Sequence, residues 1–380
     1  MDLAGRALRA LVNTGLISKA SDSSYFRLSV LGLAPFALFT TACLRKMTPA
    51  KRLMVWAAAP ALAVYAFHNW DLIAVFATAW ALRANETARP SMSGVAASLG
   101  MSAKLFPAFA APGLFLDRLK RSDRRGATKV ALGFVLAALV VNVPWIFIAS
   151  GVSPVFGDPH LVEIAQSVEL RDPATNGWMG IWLFHAERYP DFGTAWYWLA
   201  HHGRVLIPAG GFWQVGTGSY QDAVSIVSFL LFSAGSVAAL VWHWRRKGEG
   251  YPVAAAGLTV TALFLIVSKV HSPQYALWLL PFLALLNISY KAIATYFVAD
   301  LAVFVSGFYY FTVMSASAPA WMGVFEVAVL GRTAALVWIA YLSLRAERTF
   351  PTADRAPDLA PDPAPDPAPD PVKEQISSRT

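Results

Sequence analysis

The 380-residue chain is 56% hydrophobic and only 14% charged, against about a quarter charged in a water-soluble domain, which excludes a soluble globular fold. Its net charge of +8 sits in short loops between apolar runs, where bases fix membrane topology, and nucleic acid is excluded as a partner. The single cysteine, Cys43, lies inside an apolar run and excludes both an intrachain disulfide and a Cys-x-x-Cys metal or redox site.

Residues 3–17 place Leu3, Leu8, Leu11, Val12 and Leu16 on one helical face and Arg6, Arg9 and Asn13 elsewhere, which predicts an interfacial amphipathic helix within an N-terminal segment 1–24. No secretory signal pattern is visible there. From 25 to 345 the expected fold is an all-α, polytopic transmembrane helical bundle of about nine membrane segments. Arg45, Lys46, Lys51 and Arg52 mark one cytoplasmic loop, and Arg83 and Arg89 the next. Only about thirty residues separate them, too few for two full crossings of about 20 residues each. The spacing therefore predicts short paired half-helices, 53–67 and 71–82, with His68, Asn69 and Trp70 at the far apex. Residues 91–116 repeat the pattern, with Lys104, Leu105, Phe106 and Pro107 at the apex. Polar apices near membrane depth are tolerated only where they line a protein cavity.

The most basic loop, 117–129, is cytoplasmic by the same rule. Residues 130–149 cross outward into a long external loop, about 150–221, rich in Trp, Tyr and Gly. Segments near 223–243, 252–267, 275–290, 292–314 and 325–344 complete the bundle and put 268–274 on the external side. Arg345 and Arg348 hold the C-terminus in the cytoplasm, where the Pro/Asp-rich tail 346–380 is expected to be disordered, extended and solvated.

Chemistry concentrates in three strings. Ser268-Lys269-Val270-His271-Ser272-Pro273-Gln274-Tyr275 packs an ammonium, an imidazole, hydroxyls and an amide between two membrane segments, where ionisable groups are costly and by default functional. Lys269 suits a phosphate, and His271, Ser272, Gln274 and Tyr275 suit sugar or acceptor hydroxyls. The plainer alternative is a loop with a snorkelling Lys and Pro273 starting a helix. At the first apex, Asn69 and Asp71 either bind substrate or cap the next helix; at the second, Lys104 either contacts phosphate or snorkels. In the external loop Glu187, Arg188, Tyr189 and Asp191 stand beside Trp196 and Trp198, which fits a carbohydrate site or an interfacial aromatic belt. No glycine-rich nucleotide loop is present and no cofactor is expected, while the sequence leaves the need for a metal open.

As a set, Lys269-Val270-His271-Ser272-Pro273-Gln274-Tyr275-Ala276-Leu277-Trp278-Leu279-Leu280-Pro281, His68-Asn69-Trp70-Asp71-Leu72 and Lys104-Leu105-Phe106-Pro107 resemble the hallmarks of glycosyltransferase family 87, membrane enzymes of the GT-C fold. The likeness runs from about residue 25 to 345. It implies transfer of a hexose, typically mannose, from a polyprenyl-phosphate sugar to a lipid or glycan acceptor of the cell envelope, on the extracytoplasmic side. It also implies a carboxylate base in a first external loop, which in the family follows one further N-terminal helix. Here Met1 falls near the end of where that loop would be, and neither Asp2 nor Asp22 has a matching context. Either the base lies beyond this start, or Asp71 or Asp191 serves, or turnover is lacking. A transporter or lipid flippase and a non-catalytic envelope-assembly subunit are the alternatives; the absence of an inverted repeat between the halves counts against transport.

Overall fold

The computed structural model describes residues 22–151, 188–206, 218–248, 250–314 and 319–349. The expected amphipathic helix, most of the external loop with Trp178, Trp182, Phe184, Glu187 and Trp213, and nearly all of the Pro/Asp-rich tail lie outside these residues.

The described residues are helical, with one isolated antiparallel bridge between Leu286 and Arg348. In chain order the helices are α1 (Asp22–Arg45), α2 (Ala50–Ala57), α3 (Pro60–Tyr65), α4 (Asp71–Glu86), α5 (Pro90–Ala103), α6 (Ala111–Lys120), α7 (Arg124–Gly151), α8 (Ala195–Leu206), α9 (Gly218–Arg245), α10 (Val253–Val267), α11 (Leu280–Leu285), α12 (Tyr290–Tyr309) and α13 (Pro319–Ser343). Tight 3-10 turns at Phe106–Phe109 and Pro273–Trp278 precede α6 and α11, and a π turn, Tyr310–Met314, extends α12.

Among the described residues five helical stretches are long and apolar enough to cross a bilayer: Phe26–Arg45, Arg124–Pro144, Ser219–Arg245, Tyr290–Thr312 and Trp321–Ser343. The expectation of about nine crossings counted shorter helices as well. Exposed Leu31, Leu38, Val140, Phe229, Val298 and Val327 line the outer faces of these five, as a lipid-facing surface requires. The 15-residue α10 is apolar all round and almost wholly buried, the pattern of a central helix. Around it pack α6, α9, α11 and α13.

The half-helices form with some corrections. The stretch 53–67 breaks into α2 and α3 at Ala58 and Ala59, because the residue before Pro60 is sterically driven out of the helical region. Residues 275–290 likewise divide into a 3-10 turn and α11, which ends at the extended Leu286. α5 lies tight against α7: a Cβ on Gly94 would run into the Val130 carbonyl, and one on Gly133 into the Ser91 carbonyl.

The basic loops predicted to share one side are knitted together at one end of the bundle. Arg118 donates to Asn85 Oδ1 at 2.9 Å, and Asp117 Oδ1 accepts from the Tyr251 N–H at 2.9 Å. Lys120 reaches the Arg246 carbonyl at 2.6 Å, and Arg246 the Ala346 carbonyl at 2.8 Å. Arg348 ion-pairs with Glu86 and donates to the Met47 carbonyl at 3.0 Å, while Arg52 donates to the Ile288 carbonyl at 2.6 Å. From this end α4, with 16 residues, α5, with 14, and α10, with 15, rise only about 21–24 Å, whereas the 28-residue α7 and α9 extend about 42 Å. The far ends of the short helices thus form a floor recessed below the rim of the long ones.

Candidate functional site

The two apex strings and the 268–275 string meet at that floor. Trp70 occupies the N-cap position of α4 without a side-chain cap bond, which leaves the Asp71 carboxylate free to turn inward. Its Oδ1 accepts a hydrogen bond from Trp278 Nε1–H at 2.6 Å, across 207 positions of sequence. Its Oδ2 lies 3.8 Å from Lys104 Nζ and has no hydrogen-bond partner among the described residues. Asp71 is fully buried, beside the Lys104 charge and the Trp278 bond. The Lys104 side chain is 24% exposed, whereas the carboxylate it pairs with is wholly buried.

Aromatic rings form the wall. Trp278 stacks with Tyr275 at 3.9 Å between centroids and with Phe106 at 4.7 Å. Pro273 opens the 3-10 turn that brings Tyr275 and Trp278 into line, so the helix-starting role of this proline and the clustering of polar groups around it hold together. Burial raises the Tyr275 phenol pKa, and the neighbouring Ser272 hydroxyl opposes that shift.

His271 is fully enclosed. Its Nδ1 lies 3.3 Å from the Leu265 carbonyl, which can only accept, so Nδ1 carries the proton and Nε2 presents a lone pair with no partner among the described residues. Burial, followed by the nearby Arg332 charge, drives its pKa well below the ordinary histidine value. His271 is a neutral acceptor, suited to a hydroxyl rather than to a phosphate. Lys269 donates to Ser225 Oγ at 2.7 Å; burial lowers its pKa, with the Asp222 charge opposing and Arg188 reinforcing the shift. Asn69 Oδ1 accepts from the Trp70 N–H at 2.8 Å, and the half-buried Gln274 makes no hydrogen bond among the described residues.

The segment 188–194 lies over this floor. The Asp191 N–H donates to the Lys269 carbonyl at 2.8 Å, and Trp196 Nε1–H to the Val267 carbonyl at 2.8 Å. Val267 is the last residue of α10, whose final carbonyls have no partner inside the helix, so Trp196 caps it. Trp198 packs with Val303, Phe325 and Val329. Both indoles thus anchor the segment, Trp196 through its N–H and Trp198 through its buried ring.

Sequence reasoning passed over Trp278 and Phe106 as site residues, although both stand in the quoted strings. It also missed Asp300 and Arg332, a buried pair 3.4 Å apart in α12 and α13. The signal available was an ionisable residue in the middle of each of two apolar membrane helices. Among the described residues no three His, Cys, Asp or Glu side chains stand together to hold a metal ion.

Among the described residues these elements define an all-α bundle with five bilayer-length apolar helices and a recessed, cation-bearing polar floor, the architecture of a multi-pass membrane protein. Comparison with family models, with curated proteins and with solved structures returns no match.

Proposed function

We propose that this chain is an integral membrane glycosyltransferase, with a GT-C-like bundle related to glycosyltransferase family 87, that moves a hexosyl group, mannosyl in the first instance, from a polyprenyl-phosphate sugar to a lipid or glycan acceptor of the cell envelope. The supporting observation is the meeting of Asp71, Lys104 and Trp278 from three distant strings, with Asp191 bonded to Lys269 of the third. A partly exposed ammonium above a stacked aromatic wall suits a ligand with an anionic head and a carbohydrate face. The basic loops lie at the opposite end, which under the positive-inside rule supports a floor on the extracytoplasmic side and a cytoplasmic C-terminus.

In this reading Lys104 and Arg188 neutralise the phosphate of the donor, with Lys269 behind them held by Ser225. His271 Nε2, Ser272, Gln274, Tyr275 and Asn69 meet hydroxyls. The acceptor oxygen forms a bond to the anomeric carbon as the bond from that carbon to the phosphate oxygen breaks. Polyprenyl phosphate departs with the electron pair, and a carboxylate takes the acceptor proton. Asp191, half-buried, is better placed for that than the enclosed Asp71, whose part is to orient Lys104 and Trp278. Replacing Lys269 and His271 together by Ala should abolish hexosyl transfer from a polyprenyl-phosphate sugar while membrane insertion is retained; undiminished transfer would remove both from the site. A transporter also builds sites from broken helices such as α2 and α3, and saturable solute uptake by proteoliposomes without sugar transfer would favour it.

A further inference from the structure

Arg332 and Asp300 lie in the middle of two helices long and apolar enough to cross a bilayer, with side chains 1% and 5% exposed and 3.4 Å apart. Two apolar residues would pack there at lower cost, because the mutual attraction of buried ions seldom repays their desolvation. What the pair supports is found in the loop segment. Arg332 Nη2 donates to the Gly193 carbonyl at 2.7 Å, a charge-assisted bond from a membrane helix to segment 188–194. Gly193 fits between two walls: a Cβ there would meet the His271 carbonyl oxygen at 3.0 Å and Arg332 Nη2 at 3.4 Å. Two residues earlier the Asp191 N–H is bonded to the Lys269 carbonyl, and three residues later Trp196 is bonded to Val267. The segment is therefore held on one side by the end of α10 and on another by α13.

We propose that the Arg332–Asp300 pair is a positioning device that seats segment 188–194 on the floor and so sets where Arg188 and Asp191 stand against Tyr275 and Lys269. Asp300 balances the guanidinium charge and aims it; Arg332 acts through the Gly193 backbone and not on a ligand. The seat is a matter of geometry alone, and its consequence for catalysis rests on the transferase reading.

The test is hydrogen exchange of the purified full-length protein in lipid nanodiscs, with no donor or acceptor added. The double variant Arg332→Leu/Asp300→Leu removes both charges together, so no unpaired ion is left in the bundle. Exchange in peptides spanning 188–198 should quicken about tenfold or more, with α4, α5 and α10 protected as before. Arg332→Lys, which retains a charged donor, should restore most of the protection. If the double variant does not fold, Gly193→Val crowds the same slot without touching a charge and should give the same local loss. Exchange of 188–198 within twofold of the parent in either variant overturns the proposal. Because no sugar enters this measurement, its failure is distinguishable from a failure of the transferase reading.

Discussion

The bond between Asp71 and Trp278 is the joint at which the 68–71 string meets the 268–281 string, so cutting it should destabilise the floor in a non-additive way. The bond is 2.6 Å long and its acceptor is fully buried. A hydrogen bond to a charged group contributes about 1.5–3 kcal/mol, and a partner left buried and unsatisfied costs about 1–3 kcal/mol more. Asp71→Leu and Trp278→Phe should therefore each cost about 3–5 kcal/mol. Loss of the carboxylate adds little through Lys104, whose side chain is 24% exposed and finds water. The double variant should cost less than the two singles summed, by about 1.5–3 kcal/mol, because the second change strands no further group. Asp71→Asn keeps an acceptor for the indole and should cost only about 1 kcal/mol. Reversible denaturation of the purified protein in detergent micelles, followed by circular dichroism and tryptophan fluorescence, measures all four. Single costs that add to within about 0.5 kcal/mol would refute the joint.

Acid should weaken the fold through His271. Its folded-state pKa lies well below the ordinary value, so the unfolded chain binds the proton first, and stability falls as pH drops from about 6.5 towards the folded pKa. His271→Gln should flatten that limb in a pH series of melting curves, and an unchanged limb would contradict the buried neutral assignment. At the α5–α7 contact, Gly94→Ala or Gly133→Ala forces a Cβ into a facing carbonyl and should cost about 1–3 kcal/mol in the same melts. In a Cys43→Ser background, Arg125→Cys at the basic end and His68→Cys at the first apex should label with a membrane-impermeant thiol reagent from opposite faces of sealed vesicles, cytoplasmic and external respectively. Labelling of both from one face would contradict the two-ended arrangement.

The half-helices were legible because charge marks their ends: Arg52 and Arg83 leave too little chain for two crossings, and α4 does begin at Asp71. The apices at 68–70 and 104–107 follow from the same spacing, and Pro273 was legible as a helix start, which the structure turns into a 3-10 turn. What lies between helices was not legible. That Asp71 bonds to Trp278, 207 positions away, is a matter of tertiary packing, and nothing local to either string distinguishes that from capping of α4. The break in 53–67 could have been inferred from Pro60, whose ring disfavours helix at the residue before it. Asp300 and Arg332 were hidden because a long apolar stretch tolerates a charge or two without losing its membrane character, so hydropathy passed over the pair whose arginine bonds to Gly193.

The most direct test of the central claim is to supply the purified protein, in nanodiscs, with polyprenyl-phosphate mannose labelled in the sugar together with an envelope lipid extract. The account predicts label in a new glycolipid or glycan, release of unlabelled polyprenyl phosphate in equal amount, and loss of both with Lys104→Ala. Donor that remains intact beside a folded protein, or that is only moved across the bilayer without transfer, would contradict it.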